Sequence, residues 1–371
     1  MDDKRTRADG SYALGTTRRS ILKGGLAVAL AAPFVNQIVK PARAEGSGIV
    51  NISNFGGSYG DAMREIWFDP FEKETGIKVN AGPGASLALA KLQALNPAGA
   101  EWDIIDLSDG AYFTAIEQDL LAPIKGNVDL SKILPEYVGT HSWAYVAFVY
   151  VVGYNSQKIA ASDAPQTWSD IWDKKRYSGK RALNNVDTEA QSIDVALMAD
   201  GVPSSKVFPL NLDRAFASLD KLGRENIIWG MSLQDPVQQI GSGEAPTGGI
   251  YTGRAIMGNR QGAKIGMSLK QGIVGSDYLG VMKNSKNKKE AFELLNFIAT
   301  RGDLAAKFTA RTSYGIPHVD VEKLLPKEAA DIRAFLPTAP ELRETAMFND
   351  AKYMAAHMDE IVKRFQEWQL S

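Results

Sequence analysis

The sequence predicts an α/β protein of two lobes, each a mostly parallel sheet flanked by helices, with a hinge between them. Three observations carry this. From residue 49 onward, short apolar runs alternate with amphipathic helical stretches, the pattern of strand–helix units that close a parallel sheet. The 371 residues exceed what one ordinary core organises, so two domains are expected. No low-complexity linker separates the halves, so the chain crosses between them more than once and makes a hinge, not a leash.

Residues 1–44 read as a targeting segment. Thr17-Arg18-Arg19-Ser20-Ile21-Leu22-Lys23 has the twin-arginine pattern, a moderately apolar run follows over 24–39, and Ala42-Arg43-Ala44 has the small-x-small form of a cleavage site. That run is shorter than the ~20 residues a membrane helix needs, and Pro33, Asn36 and Gln37 interrupt it. No later segment is apolar enough to span a bilayer, so the mature chain is expected to be soluble, not membrane-inserted, in a Gram-negative periplasm. Residues 1–44 carry a charge of +5, which leaves the remainder at −6 against −1 for the whole chain. No basic stripe remains to follow a phosphate backbone, so nucleic acid is not expected as a partner, whereas a mildly acidic body suits cationic solutes. Zero cysteine excludes disulfides, thiolate metal sites, cysteine nucleophiles and a lipid-anchored cysteine.

Along the mature chain, 49–53 reads as a buried strand, 54–60 as a loop and Asp61 as an N-cap. The helix that follows sets Met63, Ile66, Trp67 and Phe71 on one stripe and ends at Thr75-Gly76. Strand 77–80, a break at Gly82-Pro83-Gly84, a helix capped by Ser86 and running to Leu95, strand 102–107 and a helix through Ile116 continue the alternation. The apolar run 143–154 crosses to a second α/β set, with a helix start at 168–173, a strand at 182–184 and another ending at Ile250-Tyr251. The stretch 241–249 reads as a turn before that strand. Helices are expected over 288–299, 303–310 and 350–368. Trp67, Trp168 and Trp172 read as core.

Gly56-Gly57-Ser58-Tyr59-Gly60 fits the G-x-S-x-G nucleophile elbow, which would make the protein a serine hydrolase. The triad also needs a histidine, and the mature chain offers only His141, His318 and His357. The better reading is a glycine loop that brings backbone N–H groups and Ser58 to a ligand at a helix N-terminus. No histidine pair, acidic calcium loop or nucleotide motif is present, so neither metal nor cofactor is expected.

Together these pieces resemble the periplasmic solute-binding proteins of ABC importers, in the branch containing the spermidine/putrescine receptors. The resemblance is carried by Asn54-Phe55-Gly56-Gly57, the stretch 71–79, Trp102-Asp103-Ile104-Ile105, Gly153-Tyr154-Asn155, Trp168 to Trp172 with Tyr177-Ser178-Gly179-Lys180, 272–277, 284–298 and Tyr314-Gly315-Ile316-Pro317. It implies the type II periplasmic-binding-protein fold, with lobe 1 over 48–153 and 251–300, lobe 2 over 154–250, and C-terminal helices over 301–371 packing mainly on lobe 2. Crossings would fall near 152–154, 250–253 and 298–303. A small-molecule ligand trapped between the lobes would drive hinge closure, and ABC-transporter permease subunits would recognise the closed form, with the receptor a monomer and no enzyme.

In such receptors aromatic rings sandwich a methylene chain and carboxylates hold each ammonium. The resemblance assigns Phe55 and Tyr59 to the first loop's aromatics, Tyr251 to the place of a hinge tryptophan and Asp277 to an amine-holding carboxylate. Gly57 stands where an acidic residue is expected. Gln191 stands near the place of a second-lobe glutamate, with Asp187 and Glu189 as nearby substitutes. Ser58, Ser86, Asp109 and Asn349 complete the expected ligand-binding set. Arg254 could take a carboxylate bidentately, so a diamine, an ω-amino acid such as 4-aminobutyrate, and a carboxylate without an amine all stay open.

If the two arginines are the export signal, replacing Arg18 and Arg19 together by lysine leaves the precursor in the cytoplasm. Cell fractionation checks this, and normal periplasmic accumulation would refute it.

Overall fold

The computed structural model describes residues 48–371 apart from 187–189, 337–338, 340–341 and 343–345. Residues 1–44, which hold the twin-arginine sequence, lie outside the described residues, as do Asp187 and Glu189. Among the described residues no helix is long and apolar enough to cross a membrane.

The first half builds β1 (Ile49–Asn54), α1 (Gly57–Met63), a π turn (Arg64–Phe68), α2 (Asp69–Thr75), β2 (Lys78–Pro83), α3 (Leu87–Ala94), β3 (Ile104–Ser108) and α4 (Asp109–Glu117). The helix from Gly57 to Thr75 is continuous through the π turn, with Met63, Ile66, Trp67 and Phe71 buried and Gly76 closing it in the left-handed region at φ 76°. It starts at Gly57, not after Asp61. The reason lies in the preceding loop: Asn54 Oδ1 accepts from Gly56 N at 2.8 Å, and Gly56 at φ 70° turns the chain into the helix at once. Ser86 caps α3 as expected, accepting from Leu89 N at 3.1 Å.

The second half adds β4 (Ala144–Asn155), α5 (Trp168–Trp172), β5 (Arg181–Asn184), α6 (Gln191–Ala199), α7 (Leu212–Leu222), β6 (Ile227–Gly230), α8 (Asp235–Gly241), β7 (Thr247–Tyr251), α9 (Thr252–Arg260) and β8 (Ile265–Val281). A capping box between Thr167 and Asp170 starts α5. The stretch 241–249 does turn, over 242–246, between the end of α8 and the start of β7. Gly248 and Gly249 are strand residues there, and a Cβ on Gly249 would lie 2.2 Å from the Tyr150 hydroxyl of the neighbouring strand. The chain closes with α10 (Lys288–Thr300), α11 (Gly302–Thr312), α12 (Val321–Leu324), β9 (Met347–Phe348) and α13 (Ala351–Leu370).

The strands run in the order β2-β1-β3-β8-β4-β7-β5-β6, with β9 beside β8. Both flanks are parallel (β1 with β2 and β3, β5 with β6 and β7), while the central pairings β3–β8, β8–β4 and β4–β7 are antiparallel. The central strands are long, 12 residues for β4 and 17 for β8, and β4 is buried almost throughout. Such double-sided burial follows from helices on both faces. Two main cores result, one around Trp67, Phe71 and Phe308 and one around Trp168, Leu219 and Phe365. The C-terminal stretch divides between them: Phe308 of α11 lies 6.0 Å from Trp67, whereas Trp368 of α13 stacks on Phe216 of α7 at 5.9 Å. The segment 301–371 therefore does not rest on one half alone.

Helix α6 is buried from Gln191 to Met198, and this carries Asp194 inside at 1% exposure. Its Oδ1 meets no hydrogen-bond partner among the described residues, and burial pushes its carboxyl up to about 8. A carboxyl whose folded pKa lies above its unfolded value binds its proton more tightly when folded. Folding stability from this group is therefore greatest below about pH 4 and is lost as pH rises toward about 8. Asp194→Asn is expected to raise stability at pH 8 and to flatten the decline between pH 5 and pH 8. Urea unfolding at the two pH values measures this, and an unchanged slope would count against the buried neutral carboxyl.

Candidate functional site

The parallel strands of the first half end at one edge, and their loops meet the end of β7 and an interior stretch of β8 there. Phe55 follows the last residue of β1 and is 46% exposed. The early turn at Gly56 brings Gly57, Ser58 and Tyr59 beside it in the first turn of α1. Tyr59 is held edge-on against Phe308 at 5.6 Å and Tyr314 at 5.9 Å. Across from this loop, Tyr251 ends β7 with its ring 5.4 Å from Phe148, and Arg254 lies in the first turn of α9. Asp277 of β8 pairs with Ser108 at the end of β3, so both side chains face the same way.

These groups line one cavity of about 540 Å³. Of the residues expected from sequence, it brings together Phe55, Gly57, Ser58, Tyr59, Tyr251, Arg254 and Asp277. No histidine lines it among the described residues, so Ser58 lacks there the histidine that the nucleophile-elbow triad uses. Arg254 is half-buried, makes no ion pair among the described residues, and its Nε is buried without an acceptor. A guanidinium so placed in a cavity wall has the chemistry to take an anionic group.

A second compartment of about 660 Å³ shares Ser108 and Phe148 with the first. Asp109, Gln191 and Asn349 line it, together with Asp194. Asp109 also ties α4 to β8, its Oδ1 accepting from Ser276 N at 2.8 Å. Gln191 Oε1, Asp194 Oδ1 and Asn349 Oδ1 are buried acceptors without hydrogen-bond partners among the described residues. Ser86 stands outside both compartments, its hydroxyl engaged as the α3 cap. Asp187 and Glu189 adjoin this wall in sequence but lie outside the described residues.

Behind the first compartment runs a buried polar chain. The Tyr59 hydroxyl contacts that of Tyr145, and Tyr145 donates to Asp106 Oδ2 at 2.5 Å. Tyr145 falls where the β4–β8 register breaks between Ala144 and Val146. Such irregularities re-aim a side chain, here onto the Asp106 face of the sheet. Asp106 is fully buried, and desolvation pushes its carboxyl up to about 8 against the lowering effect of the Tyr145 bond. Burial, then the nearby Asp106, holds both tyrosine hydroxyls well above their usual range.

Asp106, Tyr145, Phe148, Leu233, Tyr314 and Asp194 were not among the expected site residues. Asp106 did leave a signal: a carboxyl inside the otherwise apolar run 104–107 is costly to bury and calls for a reason.

Comparison with known proteins bears on this cavity. The family model described as bacterial extracellular solute-binding protein matches residues 67–338. The gamma-aminobutyric acid-binding protein of Pseudomonas aeruginosa is 30% identical over 336 residues, 88% of this chain and 92% of that one. The spermidine/putrescine-binding periplasmic protein of Escherichia coli is 25% identical over 265 residues, 71% of each chain. The solved structure of a GABA receptor superposes with a TM-score of 0.77 at 31% identity, covering 86% of this chain and 97% of that one. The match of the family model over most of the chain, with a relative 30% identical over 88% of it, shows that the chain belongs to the bacterial extracellular solute-binding proteins.

Proposed function

We propose that this chain is the periplasmic receptor of an ABC importer and that it captures a small ω-amino acid of the 4-aminobutyrate type. The ammonium settles against Asp277 and the carboxylate against Arg254. One observation carries the reading. A guanidinium without an ion-pair partner among the described residues, its Nε buried, shares a cavity of about 540 Å³ with a carboxylate. A zwitterion satisfies both ends at once, whereas a diamine would leave Arg254 facing a like charge. Phe55, Tyr59 and Tyr251 supply aromatic faces for the methylene chain between them. The similarity to a protein named for gamma-aminobutyric acid supports the same choice.

The receptor works as a monomer without chemistry of its own, leaves the cytoplasm through the signal at Arg18 and Arg19, and presents its closed form to permease subunits. A second reading, a polyamine, draws on the three unpartnered acceptors of the adjoining compartment, which suit a second cationic end. A carboxylate without an amine would use Arg254 and leave Asp277 unmatched.

Titration calorimetry with 4-aminobutyrate, putrescine and butyrate separates the three. On the proposed reading, Arg254→Ala weakens 4-aminobutyrate more than ten-fold, the loss of a charge-assisted bond worth about 1.5–3 kcal/mol. Asp277→Asn costs about 3–5 kcal/mol by leaving a buried ammonium without its counter-charge. Unchanged or improved affinity for putrescine in Arg254→Ala, with no binding of 4-aminobutyrate by the wild type, would establish the polyamine reading instead. Full affinity for 4-aminobutyrate in Asp277→Asn would remove the amine site.

A further inference from the structure

The buried chain behind the cavity reaches the cavity wall at Tyr59, while Tyr145 and Asp106 lie behind it. Tyr59 lines the cavity, its hydroxyl contacts Tyr145, and Tyr145 donates to Asp106 Oδ2. Asp106 Oδ1 is buried and has no hydrogen-bond partner among the described residues. The β3–β8 register sets Asp277 opposite Ser108 and Leu279 opposite Asp106. Because residues two apart on a strand share a face, Asp106 and Asp277 lie diagonally on the same side of the sheet.

Tyr145 from β4 is bonded to Asp106, Tyr59 from α1 feels the charges of Asp106 and Asp277, and Arg254 of α9 lines the same cavity as Asp277. Burial disfavours the charged form of a carboxyl. Asp277 is partly exposed at the cavity, whereas Asp106 is fully buried with one oxygen unpartnered among the described residues, so Asp106 holds the proton.

We propose that Asp106 is a second, proton-storing carboxyl of the amine site, neutral while the cleft is empty and ionised when an ammonium settles at Asp277, so that capture of a cationic group releases one proton to solvent. The O–H bond of the Asp106 carboxyl breaks and its electron pair stays on the carboxylate. The proton passes to solvent, and no electron is transferred. Tyr145 keeps its bond to the carboxylate so formed. The ammonium then faces two negative groups where the empty cleft shows one. This step rests on the amine reading of the cavity given above.

The sign follows from linkage. The carboxyl sits at about 8 in the empty protein and falls when a cation binds beside it. Release of a proton on binding makes affinity rise with pH, by at most about ten-fold per unit, and level off above about 8.

Calorimetry of 4-aminobutyrate at pH 7, run in phosphate and in MOPS, counts the protons released from the difference between the observed enthalpies. The wild type is expected to release a substantial fraction of one proton and to bind more tightly at pH 8 than at pH 6. Asp106→Asn has the shape of the neutral carboxyl and is expected to fold and bind. It should release no proton and show a flat pH profile, with affinity below the wild type at pH 8. Equal enthalpies in the two buffers for a wild type that binds would overturn the proposal, as would undiminished proton release in Asp106→Asn. If neither 4-aminobutyrate nor putrescine binds, the amine reading fails. The proton-storing carboxyl is then read without ligand, by infrared spectroscopy. A carboxylic-acid C=O band that bleaches as pH rises through about 8, and is lost in Asp106→Asn, is expected; its absence from the wild type at pH 6 would refute the proposal.

Discussion

The molecule is organised around β8. This strand of 17 residues pairs antiparallel with β3 on one side and β4 on the other, and it accepts β9 as well. Everything on the first flank reaches the second through that pairing, so its register decides which side chains meet. Shifting it by one residue would turn Asp277 away from Ser108 and empty the cavity of its carboxylate. The two parallel flanks supply loops that end at one edge, and the antiparallel centre aims the acid at them.

The cleft so formed is unbalanced in charge. On one side stands a guanidinium without an ion-pair partner among the described residues, on the other a carboxylate with a second, buried carboxyl behind it. Such an arrangement is expensive to keep in a folded protein and supports no core packing. On the proposed reading its cost is recovered when a solute with matching ends enters. The adjoining compartment repeats the theme with Gln191, Asp194 and Asn349, whose buried oxygens have no hydrogen-bond partner among the described residues. Unmet polar groups concentrated along one cleft are the physical meaning of a binding site in this chain.

Much of this was legible in sequence, and the limits were physical. The loop Asn54 to Gly60 follows β1 at the strand end, where a parallel sheet gathers its loops, so linear pattern was enough to read it as a ligand loop. Tyr251, Arg254 and Asp277, which line the same cavity, came from the resemblance to solute-binding receptors. Asp106 left a trace as a carboxyl in an apolar run, but its meeting with Tyr145 was not legible, because it depends on a register break between β4 and β8 that no local pattern announces. Asp194 escaped for a related reason: a lone acid in a helix reads as surface until the helix proves buried on every side. Ser86 was read correctly as a cap, and the same capping bond is what its hydroxyl is occupied with. The helix start at Gly57 was missed because a glycine at φ 70° lets the chain turn sooner than an N-cap residue would suggest.

Helix α13 touches both halves. Near its start Ala355 lies against Gly110 of α4, close enough that a Cβ there would meet it at 3.9 Å, and near its end Trp368 stacks on Phe216 of α7. Twenty residues of helix make a rod about 30 Å long. A rod braced at both ends resists push and pull along its length, so α13 opposes a change in the separation of α4 and α7. In mechanical terms the chain carries its own tie-bar between these two helices.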